Sequence, residues 1–219
     1  MSLRPYIAQW GARFDTLALR PPPVASTLIP GGPQPSAQTP PWDSLLAWCQ
    51  AGSGPGNCRW WQPGGQPMVA QRLAVATLWG PDEAALRELA DALARQLDGS
   101  CLLAAQPHRA AAIALRLHVK LHDAMWWRQR QPQDPWDAGW ALATAAGLAR
   151  MQSGFAPRRA TLILADGQQA DTLQAAQAAL AALASRCSGF RQPVRWLWVG
   201  GDGELPPAPG QALARFRRA

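Results

Sequence analysis

Short apolar runs that end at glycine recur along the chain and predict β-strands. They cover residues 72–80 (RLAVATLWG), 158–167 (RRATLILADG) and 192–201 (QPVRWLWVGG), and residues 100–105 (SCLLAA) form a shorter run. Such runs are typical of strands buried on both faces. Residues 113–122 (IALRLHVKLH) differ, because apolar and polar positions alternate strictly there. Alternation with period two predicts a strand with one buried and one wet face, at a sheet edge or in an antiparallel pair.

Apolar residues with helical spacing occur between these runs. In residues 81–99 (PDEAALRELADALARQLDG) the leucines share one face, acids follow a proline at the start, and glycine ends the segment, all of which indicate a helix. Residues 138–152 and 171–189 predict two further helices, and residues 41–49 (PWDSLLAWC) a short one. Because strand and helix signals alternate, we predict a three-layer α/β fold. It has a mainly parallel sheet, helices on both faces, and 113–122 as one antiparallel edge strand.

Proline and glycine density divides the chain into three parts. Residues 20–67 are rich in both residues and also contain tryptophans, which usually dock on a folded surface. We therefore predict an irregular Pro/Gly/Trp-rich arm over 1–67 and an α/β domain over 68–203. A basic tail with one short helix is expected over 204–219.

The chain is strongly basic, with a formal charge of +7 and an isoelectric point near 10.5. Such a charge suggests an anionic partner, and nucleic acid is the first candidate. However, Lys120 is the only lysine, and the abundance of Arg and Ala is typical of GC-rich bacterial coding sequences, which raises the isoelectric point without selection for binding. The nucleic-acid alternative would use the wet strand face and the C-terminus, namely Arg116, His118, Lys120, His122, Arg217 and Arg218.

Motifs for nucleotide, metal and nucleophile chemistry are missing from the sequence. There is no GxxxxGK[ST] and no GxGxxG, and Pro81 removes a backbone N–H where a phosphate loop would need donors. On a strand, His118 and His122 would lie about 13 Å apart, too far to share an ion. We find no CxxC pair, GxSxG or HExxH. We therefore expect no cofactor, no metal site and no enzymatic activity.

One location leaves an enzyme as a further alternative. Acidic residues follow the predicted strands at their carboxyl ends, where open α/β sheets bind ligands. These acids are Asp82, Glu83, Asp166 and Asp202. Acids at such positions are also common helix caps, which is the favoured interpretation.

A tryptophan- and arginine-rich loop, WWRQRQPQDPWDAGW, is the candidate binding surface. Its aromatic and basic residues are of the kinds enriched in protein-binding hot spots, and they also suit base stacking. Packing of the tryptophans on the domain comes first among the interpretations, protein binding second and nucleic acid third. The candidate partner-binding residues are Trp126, Trp127, Arg128, Arg130, Trp136 and Trp140.

The order of elements in WDAGWALATAAGLARMQ, RRATLILADGQQ and VRWLWVGG resembles the second half of a von Willebrand A domain. The resemblance spans residues 70–203 and includes the predicted antiparallel edge strand. It implies a metal site with a DxSxS signature after the first strand, but this chain has LWGPDEA there, and only Asp166 matches a metal-site position. The resemblance thus implies a member without metal that acts through protein contacts. A degenerate RecA-like or other Rossmann-like domain is the competing assignment.

The missing motifs and the tryptophan-rich segments together favour a non-catalytic bacterial adaptor or assembly subunit. We expect it to act through contacts with one or more proteins in a complex. The sequence has no apolar run of about 18 residues and no secretory signal pattern, so we expect no membrane span and a cytoplasmic location.

Overall fold

The computed structural model describes residues 15–23, 41–51, 72–124, 134–142, 144–157, 159–168, 170–190, 192–201 and 213–218. Its strands are β1 (Leu19–Arg20), β2 (Leu73–Trp79), β3 (Asp137–Ala141), β4 (Thr161–Asp166), β5 (Val194–Val199) and β6 (Leu213–Arg217). Its helices are α1 (Trp42–Gln50), α2 (Glu83–Leu97), α3 (Ser100–Ala104), α4 (Arg109–Ala124), α5 (Ala145–Ser153) and α6 (Ala170–Arg186).

The six strands form one sheet in the order β1-β3-β4-β5-β2-β6. Strands β2 to β6 run parallel to their neighbours, and β1 pairs antiparallel with β3 at one edge. The predicted mainly parallel sheet with one antiparallel edge strand is thereby confirmed. The edge strand itself is β1 and not residues 113–122. A glycine permits this pairing, because a Cβ on Gly139 would lie 2.6 Å from the Arg20 carbonyl oxygen.

Helices cover both faces of the sheet, as predicted. On one face, α5 and α6 contribute Met151, Leu180 and Leu183 to a core that also contains Trp196 and Trp198 of β5. On the other face, side chains of α1 and α2 pack on the opposite sides of the same strands. All six residues of β5 are buried. This explains why its sequence is nearly continuous in apolar residues.

Two predicted strands are helices. Residues 100–105 correspond to α3, and residues 113–122 lie inside α4, so both strand predictions are wrong. In α4 the buried Val119 and the partly buried Ala112 and Leu115 pack with the buried Leu103 of α3. Ala112, Leu115 and Val119 follow helical spacing, which places them on one side of α4.

Two other segments that were predicted to be helical contain strands in the structure. The predicted helix 138–152 contains β3 and then α5, which starts where the Thr144 hydroxyl accepts a hydrogen bond from the Gly147 N–H. The short helix predicted in the C-terminal tail is not found in its described residues 213–218, where strand β6 instead pairs parallel with β2. The predicted helices near 81–99, 171–189 and 41–49 are α2, α6 and α1.

Part of the predicted arm joins the domain. Strand β1 completes one sheet edge, and α1 packs on the face that α2 covers, where Trp48 makes an edge-to-face contact with Phe216 of β6. No helix in the described ranges combines the length and the apolar character that crossing a membrane requires.

Candidate interaction surface on helix α4

Helices α3 and α4 form an insertion between α2 and β3. The chain leaves α2 through Asp98 and Gly99, and Gly99 adopts a left-handed conformation with φ of 79°. The Asp98 carboxylate accepts a hydrogen bond of 2.7 Å from the Ser100 N–H and so fixes the start of α3. Burial raises the pKa of the Asp98 carboxyl to about 7. Helix α4 then packs on α3 with one side, through the contact between Val119 and Leu103.

The outer side of α4 is apolar and exposed to solvent. Ile113, Leu117 and Leu121 have 58%, 56% and 55% of their surface exposed, and Leu102 of α3 has 50%. Elsewhere in the described chain, only Leu17 is a comparably exposed large hydrophobic residue, at 67%. We call Ile113, Leu117 and Leu121 the α4 ridge. Apolar side chains exposed singly are ordinary on protein surfaces, whereas an aligned group indicates an interaction site.

The spacing of the α4 ridge follows from helix geometry. Residues four apart advance by about 40° around an α-helix, so the three side chains span an arc of about 80°. Ala110 and Ala114 are exposed beside the ridge on the same helix. Small residues next to a ridge leave a groove into which the side chains of another helix can fit.

Helix α4 also carries positive charge. Its sequence contains Arg109, Arg116 and Lys120 against a single carboxylate, Asp123. Arg109 is exposed, whereas Arg116 is buried. The apolar ridge thus lies on a helix of net positive charge.

The residues expected to bind nucleic acid do not share one face. Arg116 is buried in α4 and His118 of the same helix is exposed, and the side chains of Lys120 and His122 lie outside the described part. Arg217 is the last residue of β6 and Arg218 follows it, and the Arg217 guanidinium is 5.0 Å from the centre of the Trp79 ring. The Arg218 guanidinium donates to the Ala85 carbonyl. The wet strand face predicted from the alternation does not exist.

The helical structure of α4 changes the geometry of its two histidines. His118 and His122 are one turn apart on a helix, which is a spacing compatible with a shared metal ion, unlike the strand spacing. Among the residues that the structure describes, however, no group of three His, Cys, Asp or Glu side chains is placed to hold a metal.

The tryptophan- and arginine-rich loop is described only in part. Trp126, Trp127, Arg128 and Arg130 lie outside the described residues. Trp136 is 2% exposed and belongs to the core beneath α2, so it is a packing residue and not part of an open surface. The Trp140 indole N–H donates a 2.7 Å hydrogen bond to Asp91. These two tryptophans follow the core-packing interpretation.

The acids at the carboxyl edge of the sheet interact with groups of the protein itself. Asp82 caps α2 by accepting from the Ala85 N–H, and Arg87 bridges Glu83 at 2.6 Å and Asp166 at 2.7 Å. Asp166 also accepts from the Gln168 N–H at 2.9 Å. Asp202 lies outside the described residues. The expected helix cap is thus present at Asp82, and the other two acids share one guanidinium.

Many arginines bind backbone carbonyls, a role that the sequence analysis missed. Arg195 of β5 is 1% exposed, and its guanidinium donates to the carbonyls of Trp48 and Cys49 at the end of α1. Arg186 likewise donates to the Ser153 carbonyl at the end of α5. A helix leaves its last carbonyls without partners, and a cation satisfies both their hydrogen bonds and the negative end of the helix dipole. The only signal in the sequence was arginine within or next to apolar runs.

Comparisons with protein-family models, with curated proteins and with solved structures gave no match. The likeness to a von Willebrand A domain therefore stays a prediction. One of the observations behind it changes, because the stretch expected to be its antiparallel edge strand is helix α4.

Proposed function

We propose that this chain is a non-catalytic adaptor or assembly subunit that binds a partner protein through the α4 ridge. One observation carries the proposal: four of the exposed large hydrophobic residues in the described chain lie on the α3–α4 insertion. Three of them follow one line along α4. Burial of apolar surface is the main driving force of most protein association. The proposed surface differs from the tryptophan-rich loop, although α4 leads in sequence directly toward Trp126 and Trp127.

The carboxyl edge of the sheet supports the non-catalytic part of the proposal. The first parallel strand, β2, lies between the fourth and fifth, β5 and β6. This order differs from that of the doubly wound folds, which place the second parallel strand beside the first. In nucleotide-binding folds of strand–loop–helix type, a phosphate loop follows the first strand. Here Asp82 places its own carboxylate at the start of α2, where it competes with an anionic ligand.

The internal use of arginine makes nucleic-acid binding the weaker alternative. Arg87, Arg150 and Arg159 each pair with a carboxylate. Arg186 and Arg195 bind helix ends, and neither is exposed. A phosphate backbone requires cations that converge on one accessible face. The high net charge therefore does not by itself imply such a face.

Substitution of the ridge tests the proposal. We expect the triple variant Ile113→Ser, Leu117→Ser, Leu121→Ser of the full chain to keep its fold, because the replaced side chains are exposed and such changes usually alter stability by only about 0.5 kcal/mol each. In affinity purification from the native cells, the amount of partner protein recovered with the triple variant should be at least about tenfold lower than with the wild type. A tenfold loss corresponds to about 1.4 kcal/mol of binding free energy.

Leu17→Ser is the matched control, since Leu17 is equally apolar and exposed but lies next to β1. This control should retain the partner. Recovery of the same proteins by the wild type and the triple variant, with both folded by circular dichroism, would refute the ridge as the binding surface.

A further inference from the structure

From the edge of the sheet at β6 we infer a second interaction surface, which binds an extended acidic segment of a partner protein as an added strand. This inference goes beyond the proposed function, because it concerns a different element and does not depend on the α4 ridge. It joins two observations on the described residues: β6 is the last strand of the sheet, and its exposed residues are Arg215 and Arg217.

The backbone of β6 offers hydrogen-bonding groups on its outer side. Among the described strands, β6 has a neighbour on one side only, which is β2. The Arg218 N–H donates to the Trp79 carbonyl at 2.9 Å. Because the backbone groups of successive residues alternate in direction, those of Arg215 and Arg217 point away from β2. A row of outward N–H and C=O groups is the template on which another strand pairs.

The two arginines favour acidic residues in the added strand. Arg215 and Arg217 are two residues apart, so their side chains leave the same face of the sheet. The Arg217 guanidinium lies 5.0 Å from the centre of the Trp79 ring, and a guanidinium stacked on an aromatic ring still presents its N–H groups to a carboxylate. Opposite charges across a strand pair stabilise it. Carboxylates at alternate positions of the added strand therefore pair with both arginines.

The other face of β6 favours an apolar residue between the two acids. Phe216 lies between the arginines in sequence and packs on the opposite face, where its ring centre is 6.0 Å from that of Trp48. Both aromatic residues are only partly buried. An apolar side chain across from Phe216 covers more of this aromatic surface. The expected binding segment is thus extended and has the order acid, apolar, acid.

The same features disfavour two other occupants. A second copy of β6 would place arginines opposite arginines, and like charges across a strand pair are destabilising. Charged side chains on an edge strand protect it in this way from pairing with itself. The phosphate groups of a nucleic acid offer acceptors only, so they leave the outward carbonyls of Arg215 and Arg217 without donors. A peptide strand supplies both donors and acceptors.

Binding of a synthetic peptide to the full chain, measured by fluorescence anisotropy, tests the inference. The probe is a labelled peptide in which Glu and Val alternate. We expect Arg215→Glu to weaken its binding by at least about tenfold, because an attractive cross-strand pair becomes a repulsive one. The matched control is Arg109→Glu, which makes the same change of net charge at an exposed residue of α4 and should leave the affinity unchanged.

Methylated peptides separate strand addition from simple charge attraction. Two isomers of the probe carry N-methyl groups on all Val amides or on all Glu amides, so each isomer loses the N–H donors along one of its two edges. Both isomers keep the charge of the probe. We expect one isomer to bind like the probe, because its blocked edge faces solvent, and the other to bind at least about tenfold more weakly.

The remaining outcomes overturn the inference. It fails if the probe does not bind, if a peptide of alternating Lys and Val binds equally well, or if the two methylated isomers bind with equal affinity. It also fails if a single-stranded oligonucleotide binds more tightly than the probe and loses as much affinity in Arg215→Glu. The triple variant of the α4 ridge should bind the probe like the wild type, so failure of this inference and failure of the proposed function are distinguishable.

Discussion

Single arginines hold together parts of this molecule that are distant in sequence. Arg195 lies in the central strand β5, and its guanidinium reaches the carbonyls at the end of α1, 3.1 Å from that of Cys49. Burial lowers the pKa of Arg195 to about 10, so it remains protonated at neutral pH. The same burial raises the pKa of the Cys49 thiol to about 12. The core therefore contains a charged hydrogen-bond donor, the Arg195 guanidinium, which binds the carbonyls at the end of α1.

Removal of this donor should destabilise the fold strongly. We expect Arg195→Met to lower the free energy of unfolding by about 2–4 kcal/mol, since several buried carbonyls lose hydrogen bonds to a charged group. Urea denaturation measures the change. Arg215→Met removes an exposed arginine instead and should shift stability by less than about 0.5 kcal/mol. Equal stability of the two variants would contradict the structural role of Arg195.

Asp98 should make stability depend on pH between about 4 and 7. Its pKa is raised by burial from 3.8 to about 7, so the folded state holds a proton that the unfolded state has lost in this range. The contribution of Asp98 to the free energy of unfolding is therefore most favourable below about pH 4, and it decreases as the pH rises to 7. The side chain of the Asp98→Asn variant does not titrate. Its free energy of unfolding, measured by urea denaturation at each pH, should therefore rise relative to that of the wild type by on the order of a few kcal/mol between pH 4 and pH 7. A difference independent of pH would rule out the raised pKa.

At the scale of elements, helix α4 explains the main error of the sequence prediction. Its apolar residues alternate because the helix is apolar on two sides: Leu115 and Val119 turn toward α3, whereas Leu117 and Leu121 are exposed. Two apolar sides on one helix mimic the period of a strand. The alternation predicts one buried and one wet strand face, and in the structure it marks an exposed apolar surface on α4.

Two conservative truncations distinguish a helix from a strand in this segment. Val119→Ala should lower the free energy of unfolding by about 1–2 kcal/mol, because it removes buried methyl groups at the contact with α3. Leu117→Ala should change it by less than about 0.5 kcal/mol, since Leu117 is exposed. In a strand, positions 117 and 119 would share the buried face, and both substitutions would then be comparably costly.

Strands buried on both faces and the capped helix α2 were predicted correctly, whereas β3 and β6 were not. Strands β2, β4 and β5 are buried on both faces and read as apolar runs, while α2 has a capping acid and a leucine stripe. Strand β3 has five residues, and its sequence predicts the start of a helix. Strand β6, LARFR, exists because it pairs with β2, and no local pattern contains that information.

On the scale of the whole molecule, segments from both ends of the chain complete the central sheet. Strand β1 forms one edge and β6 the other. The N-terminal edge is further tied by the ion pair between Arg150 and Asp15, at 2.8 Å. The sheet therefore extends beyond the predicted domain of residues 68–203. The candidate surface lies on the α3–α4 insertion between α2 and β3.

The candidate surface was only partly predictable for a related reason. The sequence indicated a protein-binding role, and it suggested the basic row of residues 116–122 as a nucleic-acid surface. It did not show that Arg116 would be buried while Leu117 and Leu121 would be exposed. That distinction depends on which side of α4 packs on α3, and so on tertiary contacts that hydrophobic patterning alone leaves open.

Hydrogen exchange on the purified native complex tests the central claim most directly. The amides of α4 should exchange at least about tenfold more slowly in the complex than in the isolated chain, because the partner covers the ridge and suppresses local opening. Amides of α6, which packs on the face of the sheet opposite to α2, should keep their rates. Unchanged rates in α4 together with slower exchange elsewhere would place the partner on another surface and contradict the account.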